Sequence, residues 1–338
     1  MRTFSHAVLA ALAVLMFTPL FVSPSFADVA AGDVLVADLG NCSTQDVCEP
    51  GTGTIRRYSA LGMDLGVFAG GPSFQLSAPW SITADQLGNI YVSERDGQRV
   101  TKFSPAGDPL LTITTGFTPG GVRVGTDRTI YVVDSSSGKI NRYSEFGAGL
   151  GSFASAALVS ADFMAFDAQG NLYVTGTDSV LDEFVRRVFS PTGANLGDVV
   201  AGFFAPAGIA FDAQGNLYVA SSTSNIVEQY SLSPIPPGAD LGTFAFGDPG
   251  DDSFRGIAFD ASGNLYVASS ARRSILRFPP AGGTAPESFA SGLSFPWDLV
   301  IVPMPANPAV TPGRKEGGGR KFEFRDQRDC IQFVNTGK

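Results

Sequence analysis

The feature that most constrains this chain is a repeat. Five Tyr-Val pairs begin at Tyr91, Tyr131, Tyr173, Tyr218 and Tyr266, spaced 40, 42, 45 and 48 residues apart. Three copies are close: residues 166–175 read FDAQGNLYVT, 211–220 FDAQGNLYVA and 259–268 FDASGNLYVA. Residues 84–93 and 125–134 are looser copies. Each unit starts with a short apolar strand, such as Gly208 to Phe211, and a tight turn in which Gly and Asn supply positive φ. A second strand follows, such as Leu217 to Ala220. A third runs from Ile226 to Tyr230, echoed at Val100, Ile140 and Ile275. The fourth carries Leu-Gly-x-Phe, as at Leu65, Leu150 and Leu241. Alternation in the second and third strands fits sheets packed face to face.

Four short strands per period in the forties predict an all-β propeller with one blade per unit. The two ends supply the remaining pieces. Val34 to Ala37 matches a second strand and Ile55 to Tyr58 a third, with no first strand before them. Pro296 to Val302 is a first strand with no successors. Joined, they predict a six-bladed β-propeller over residues 28–302 whose closing blade is built from both termini, which hides edges that would otherwise invite aggregation.

Residues 1–27 read as an export signal. Arg2 precedes the apolar run from Ala7 to Phe17, and Ser25-Phe26-Ala27 places small residues where a signal peptidase cuts, after Ala27. Pro19 and Pro24 interrupt that run before it reaches spanning length. The expectation is a secreted or periplasmic monomer with no membrane span after cleavage. Cys42 and Cys48 share one loop and predict a disulfide, as export allows. Cys330 is left over. Residues 303–338 read as a Pro/Gly-rich linker and flexible tail, too short to bury a core. Val302-Pro-Met-Pro305 is similar to the Val-Pro-Glu-Pro of bacterial sorting tails, which would suit a surface or matrix component.

Charge and histidine content narrow the chemistry. Without the leader, 22 basic residues face 32 acidic ones, and the excess acid lies in the repeat region. That argues against nucleic acid and against an anionic membrane surface. The only histidine, His6, lies in the leader. A chain cut after Ala27 therefore has no Ser-His-Asp triad, no histidine base and no histidine-bound zinc.

The segment Pro206 to Val219, PAGIAFDAQGNLYV, resembles the NHL-repeat family and the wider six-bladed set that includes gluconolactonase/regucalcin-like proteins. The resemblance covers residues 33–302. It implies a ligand-binding propeller, a lactone hydrolase or a peptide-amide lyase, and the fold does not choose among them; the lyase would depend on histidine. The hydrolase would hold a divalent cation, with an Asp immediately before the Gly of a first strand. Here Ala207 and Arg255 stand at that position, and an Arg repels a cation. The early Glu-Gly-Pro-x-Trp element is absent. If a cation such as calcium is held, the candidate ligands are Glu94, Asp134, Asp162 and Asp298, with Asp178 as a further loop acid. The Asp-x-x-Gly-Asn turns are too short for an EF-hand loop and read as hairpin turns.

Trp80 and Trp297 are the only tryptophans, and each follows a Pro at the start of a first strand. That places both at one rim of the central channel on neighbouring blades, either to stack a sugar or peptide group or to pack the blades together. Arg95 and Arg255 border the same face. The leading expectation is a non-catalytic scaffold without a cofactor, binding a protein, peptide or carbohydrate around Trp80, Glu94, Arg95, Asp134, Asp162, Arg255, Trp297 and Asp298. The alternative is a divergent metal-dependent lactone or ester hydrolase.

Overall fold

The computed structural model describes residues 28–44, 47–70, 74–155, 159–177, 184–200, 205–232, 239–247 and 253–303. The leader, the tail with Cys330, and Asp178 lie outside the described residues.

The described residues form strands joined by turns, without helices, in a β-propeller. Five four-stranded antiparallel sheets are each made of consecutive strands. Their innermost strands are Pro79–Ala84, Pro119–Val124, Val159–Phe166, Pro206–Phe211 and Phe254–Phe259. A further four-stranded sheet runs in the order Pro296–Ile301, Val34–Asp38, Thr54–Tyr58 and Asp64–Gly70, so it draws on both ends of the described chain. Each innermost strand packs against the next, and Pro296–Ile301 packs against both Phe254–Phe259 and Pro79–Ala84. The contacts therefore run in a closed cycle.

The junction of the ends is tied down further. Val34 pairs with Ile301, and the Val302 amide donates to the Asp33 carbonyl. Arg57 Nε donates to Asp33 Oδ2 at 2.8 Å, and both side chains are buried.

The repeated motif has a physical division of labour. Asp85, Asp167, Asp212 and Asp260 each close a turn. One carboxylate oxygen accepts the amides two and four residues on. The other accepts the Asn side chain and the Tyr hydroxyl. The Gly between them has φ near +80°, as at Gly215 (φ 82). The Phe that opens each close copy packs edge-on against the Tyr of the preceding sheet: Phe166 on Tyr131, Phe211 on Tyr173 and Phe259 on Tyr218. Asp thus fixes its own hairpin, while Phe and Tyr weld neighbouring sheets.

Alternation fails in the second strands. Ile90–Glu94, Leu217–Ser221 and Leu265–Ser269 are buried at every position, because another sheet covers each face. Exposure is concentrated in the outer strands, such as Asn195–Val200. The 42–48 loop, read only as a disulfide loop in the sequence, contains a small hairpin of Cys42–Thr44 and Val47–Cys48.

Candidate functional site at the channel mouth

Each innermost strand carries a β-bulge near its start. The pairing skips Trp80 in one strand and Trp297 in another, and passes over the stretches containing Gly120, Asp162, Ala207 and Arg255 in the rest. A bulged residue leaves the ladder and its side chain is re-aimed. The cycle of bulged positions is therefore Trp80, Gly120, Asp162, Ala207, Arg255 and Trp297. Three large side chains are consecutive in it, because Arg255, Trp297 and Trp80 lie on strands that touch in sequence around the cycle.

These large groups are layered. The Trp80 and Trp297 rings have centroids 4.0 Å apart at an interplanar angle of 39°. Arg95 lies over Trp80 with its guanidinium carbon 4.2 Å from the ring centroid, and Arg255 lies over Trp297 at 4.3 Å. Two guanidiniums on two indoles make a cation–π stack, stronger for being out of water. Phe295 stacks on Trp297 as well, at 6.1 Å. Asp162 completes the group as a counter-charge to Arg95 and Arg255, and accepts the Ser135 hydroxyl at 3.2 Å.

Burial sets the protonation of this group. Desolvation raises the Asp162 pKa to about 6, although Arg95, Ser135, Trp80 and Arg255 all favour its charge. Desolvation also lowers Arg255 to about 10, against the pull of Asp162, so it stays protonated at neutral pH. Between its ordinary value of 3.8 and about 6, Asp162 holds a proton in the folded chain that the unfolded chain has released. Its contribution to stability is therefore present at low pH and lost as pH rises through that window. Melting temperatures of wild type and Asp162→Asn should diverge across it, with the advantage of wild type larger at pH 4 than at pH 6.5. A constant difference would refute this.

Of the residues named from sequence, the structure brings Trp80, Arg95, Asp162, Arg255 and Trp297 together. Both indoles are almost wholly out of solvent, at 1% and 2% exposure. No outside ring can stack on them while the surroundings stay in place. The other carboxylates are committed elsewhere. Glu94 is fully buried, paired with Arg99 at 2.6 Å and accepting from Thr101 and the Ser77 amide. Asp298 accepts the Ser81 hydroxyl and the Ile82 amide, with Arg123 3.7 Å away. Asp134 caps its own turn through Ser136 and Ser137. Among the described residues no three His, Cys, Asp or Glu side chains gather to hold a metal ion. Glu94, Asp134, Asp162 and Asp298 are thus not gathered into one donor set. The recurring tyrosines are poor bases: burial first, and the adjacent Asp second, push the phenols of Tyr91, Tyr173 and Tyr218 well above their ordinary value.

Two further elements pack beside this group: Asp38, which had no signal in the sequence, and the loop of the expected Cys42–Cys48 disulfide. Asp38 is buried and accepts the amides of Ser294 at 2.8 Å and Phe295 at 2.6 Å, which fixes the approach to Pro296-Trp297. The 42–48 hairpin, closed by the Cys42–Cys48 disulfide, packs both half-cystines against the cluster that contains Trp80 and Trp297. Beside it lies a cavity of about 780 Å³, lined by residues including Asn41, Cys48, Glu49, Arg273 and Leu293. Replacing both cysteines with serine should cost about 2 kcal/mol by the chain-entropy argument for so short a loop. It should also speed acrylamide quenching of the two tryptophans; quenching unchanged from wild type would show that the hairpin does not shield them.

No family model matches the chain, and no curated protein matches it by sequence. Solved structures do. One from a nidogen/laminin complex superposes with a TM-score of 0.66 at 18% identity, over 81% of this chain and 99% of that one. A protein of unknown function from Bacteroides caccae gives 0.57 at 14%, over 80% and 98%. A gluconolactonase-family protein gives 0.54 at 16%, over 61% and 76%. At these identities the likeness is one of fold, a β-propeller of this kind. No helix among the described residues is long and apolar enough to cross a membrane.

Proposed function

We propose that the chain is a six-bladed propeller, its composite sheet counted as the closing blade, that acts outside the cytoplasm as a non-catalytic binding module. Its ligand, a protein, peptide or carbohydrate, is met at the rim around the 42–48 hairpin and in the channel below. The observation that carries this reading is the commitment of the chemistry-bearing groups. Glu94 and Asp298 are each saturated by internal donors, and the tyrosines are held protonated by burial. A cavity nonetheless lies open beside the Cys42–Cys48 hairpin. The Cys42–Cys48 disulfide supports an oxidising location.

The hydrolase reading draws on the structural likeness to a gluconolactonase-family protein. It would need a cation on Glu94, Asp134, Asp162 and Asp298 to polarise a carbonyl. Two experiments separate the readings. A thermal melt of residues 28–338 should not change with EDTA or with added calcium. A melting point that falls with EDTA and recovers with calcium, or chelator-sensitive lactone turnover, would place the hydrolase first, because a bound cation stabilises by mass action. A glycan and peptide array should yield binding that Arg273→Glu, at the cavity wall, abolishes; binding indifferent to that change would move the site off this rim.

A further inference from the structure

One copy of the repeated turn departs from the rest. At Tyr91, Tyr173, Tyr218 and Tyr266 the hydroxyl donates to the Asp six residues earlier, at 3.0, 3.3, 3.1 and 3.3 Å. Six residues before Tyr131 stands Gly125. The hairpin still closes, because the Gly125 amide donates to the Thr129 carbonyl. Asp127 takes over the carboxylate's task in the turn, accepting the Thr129 amide at 3.0 Å and the Thr129 hydroxyl at 2.8 Å. Arg128 holds φ 65 where the other four copies have Gly. The phenol is left out of this rearrangement. Among the described residues nothing accepts from the Tyr131 hydroxyl. Tyr131 is also the most exposed of the five tyrosines, at 8% against 5% or less. A cavity of about 430 Å³ opens there, lined by residues including Asp127, Tyr131, Phe153, Phe166, Gln169 and Pro191. That is within the range of small-molecule pockets, roughly 300–1,000 Å³. A Cβ on Gly125 would stand 2.7 Å from Asp127 Oδ1 and 3.3 Å from Tyr131 Cε2, so both groups border the place where the side chain is missing. Phe153 and Phe166 stand edge-on to Tyr131, with centroids 5.1 and 5.2 Å away.

We propose that this cavity binds a neutral phenolic ring, whose oxygen takes the place of the missing Asp carboxylate. A phenol hydroxyl can serve both neighbours at once: it accepts from Tyr131 and donates to Asp127, whose Oδ1 keeps a lone pair beyond the one given to the Thr129 amide. Burial first, and Asp127 second, push the Tyr131 phenol up, so it remains a donor. A second negative charge is disfavoured, because Asp127 and Asp167 both stand in the wall. Arg142, the cation that acts on Tyr131, is stacked on Phe153 at 5.6 Å and does not line the cavity. The rest of the ligand meets Phe153, Phe166 and Pro191, which suits an aromatic ring packed edge to face. A sugar would set further hydroxyls against those apolar groups without partners. The site lies at the opposite end of the first strands from their bulges and does not depend on the function proposed for the rim. The phenol can be a free small molecule or a tyrosine side chain that a partner inserts.

The test uses saturation-transfer NMR with p-cresol as the probe, toluene as the analogue without the hydroxyl and p-toluate as the anionic one. Saturable binding of p-cresol is expected, with toluene and p-toluate both weaker. Tyr131→Phe should weaken p-cresol about fivefold, as loss of one neutral hydrogen bond implies, and leave toluene unchanged. Gly125→Asp/Asp127→Gln writes the Asp-x-Gln of residues 167–169 and 212–214 into this turn. It should fill the gap, bond Tyr131 as in the other copies and abolish p-cresol binding. No binding of p-cresol, equal affinity for p-cresol and toluene, tighter binding of p-toluate, or p-cresol binding indifferent to Tyr131→Phe would each overturn the proposal. Should the double variant fail to fold, the Tyr131→Phe contrast still decides. Capped Gly-Tyr-Gly, with Gly-Phe-Gly as its control, then identifies the source. Preference for the Tyr peptide over p-cresol assigns the ring to a partner, and the reverse order assigns it to a free phenol.

Discussion

Asp298→Ala should destabilise the protein by about 3–5 kcal/mol, the usual cost of breaking a buried ion pair from one side. For a domain of this size that is a fall in melting temperature of roughly 10 °C or more. Asp298 is 1% exposed and joins three sheets through one carboxylate. It sits on Pro296–Ile301, accepts from Ser81 and Ile82 on the next innermost strand, and faces Arg123 on the one after. Its removal leaves the Ile82 amide and the Ser81 hydroxyl without this acceptor and takes the counter-charge away from Arg123. Burial raises the Asp298 pKa even with Arg123 beside it, so the charge is held at a cost and the gain is cohesion between sheets. Asp134→Ala is the control. That carboxylate caps only its own turn, and the loss should be at most about 1 kcal/mol. Equal melting temperatures for the two variants would show that Asp298 does not link the sheets.

Gly208→Ala should be as damaging for a steric reason. A Cβ at Gly208 would lie 2.2 Å from the Arg255 carbonyl oxygen, 2.8 Å from the Ile257 amide and 2.9 Å from the Gly256 Cα. All three are backbone atoms of the neighbouring innermost strand, so no side chain can swing aside. The sheets must separate locally, and the cost should reach or exceed the upper end of the roughly 1–3 kcal/mol typical of overpacking. Gly149→Ala is the matched control, because a Cβ there meets nothing within 4 Å; its effect should stay within about 0.5 kcal/mol. Gly208→Ala should also disturb Arg255 directly, and so change the fluorescence of Trp297 beneath it. A folded Gly208→Ala variant with wild-type stability would mean that the spacing between innermost strands is not set by backbone contact.

How much of this was legible in the sequence follows from the range of each interaction. The Asp-x-x-Gly-Asn-x-Tyr turn is local, and its meaning could be read from spacing alone. The grouping of Trp80, Arg255 and Trp297 also followed from their common position at the start of first strands. The sequence carries no sign of how deeply those side chains are buried, because the groups packed into the same cluster, Cys42 and Cys48 among them, come from distant parts of the chain. Asp38 and Phe295 are separated by 257 residues, and Ser81 and Asp298 by 217. Such partners become visible only once the cycle has closed. Glu94 is different. Arg99 lies five residues away across a tight turn, and that pairing was available as a reason to doubt Glu94 as a cation ligand.

The composite sheet has a consequence for the chain as it is made. Val34 finds its partner only when Ile301 arrives, so the N-terminal strand waits through almost the whole of synthesis or translocation with one edge bare. The five consecutive sheets can each form soon after their own residues appear, but the contact that locks them is also the most distant in sequence, and loop-closure entropy makes it late. A nascent chain stopped anywhere short of Pro296 is an open arc with a β-edge at each end, which is the form most prone to join with another copy. The last strand is therefore a latch, and until it engages the protein has blades but no axle.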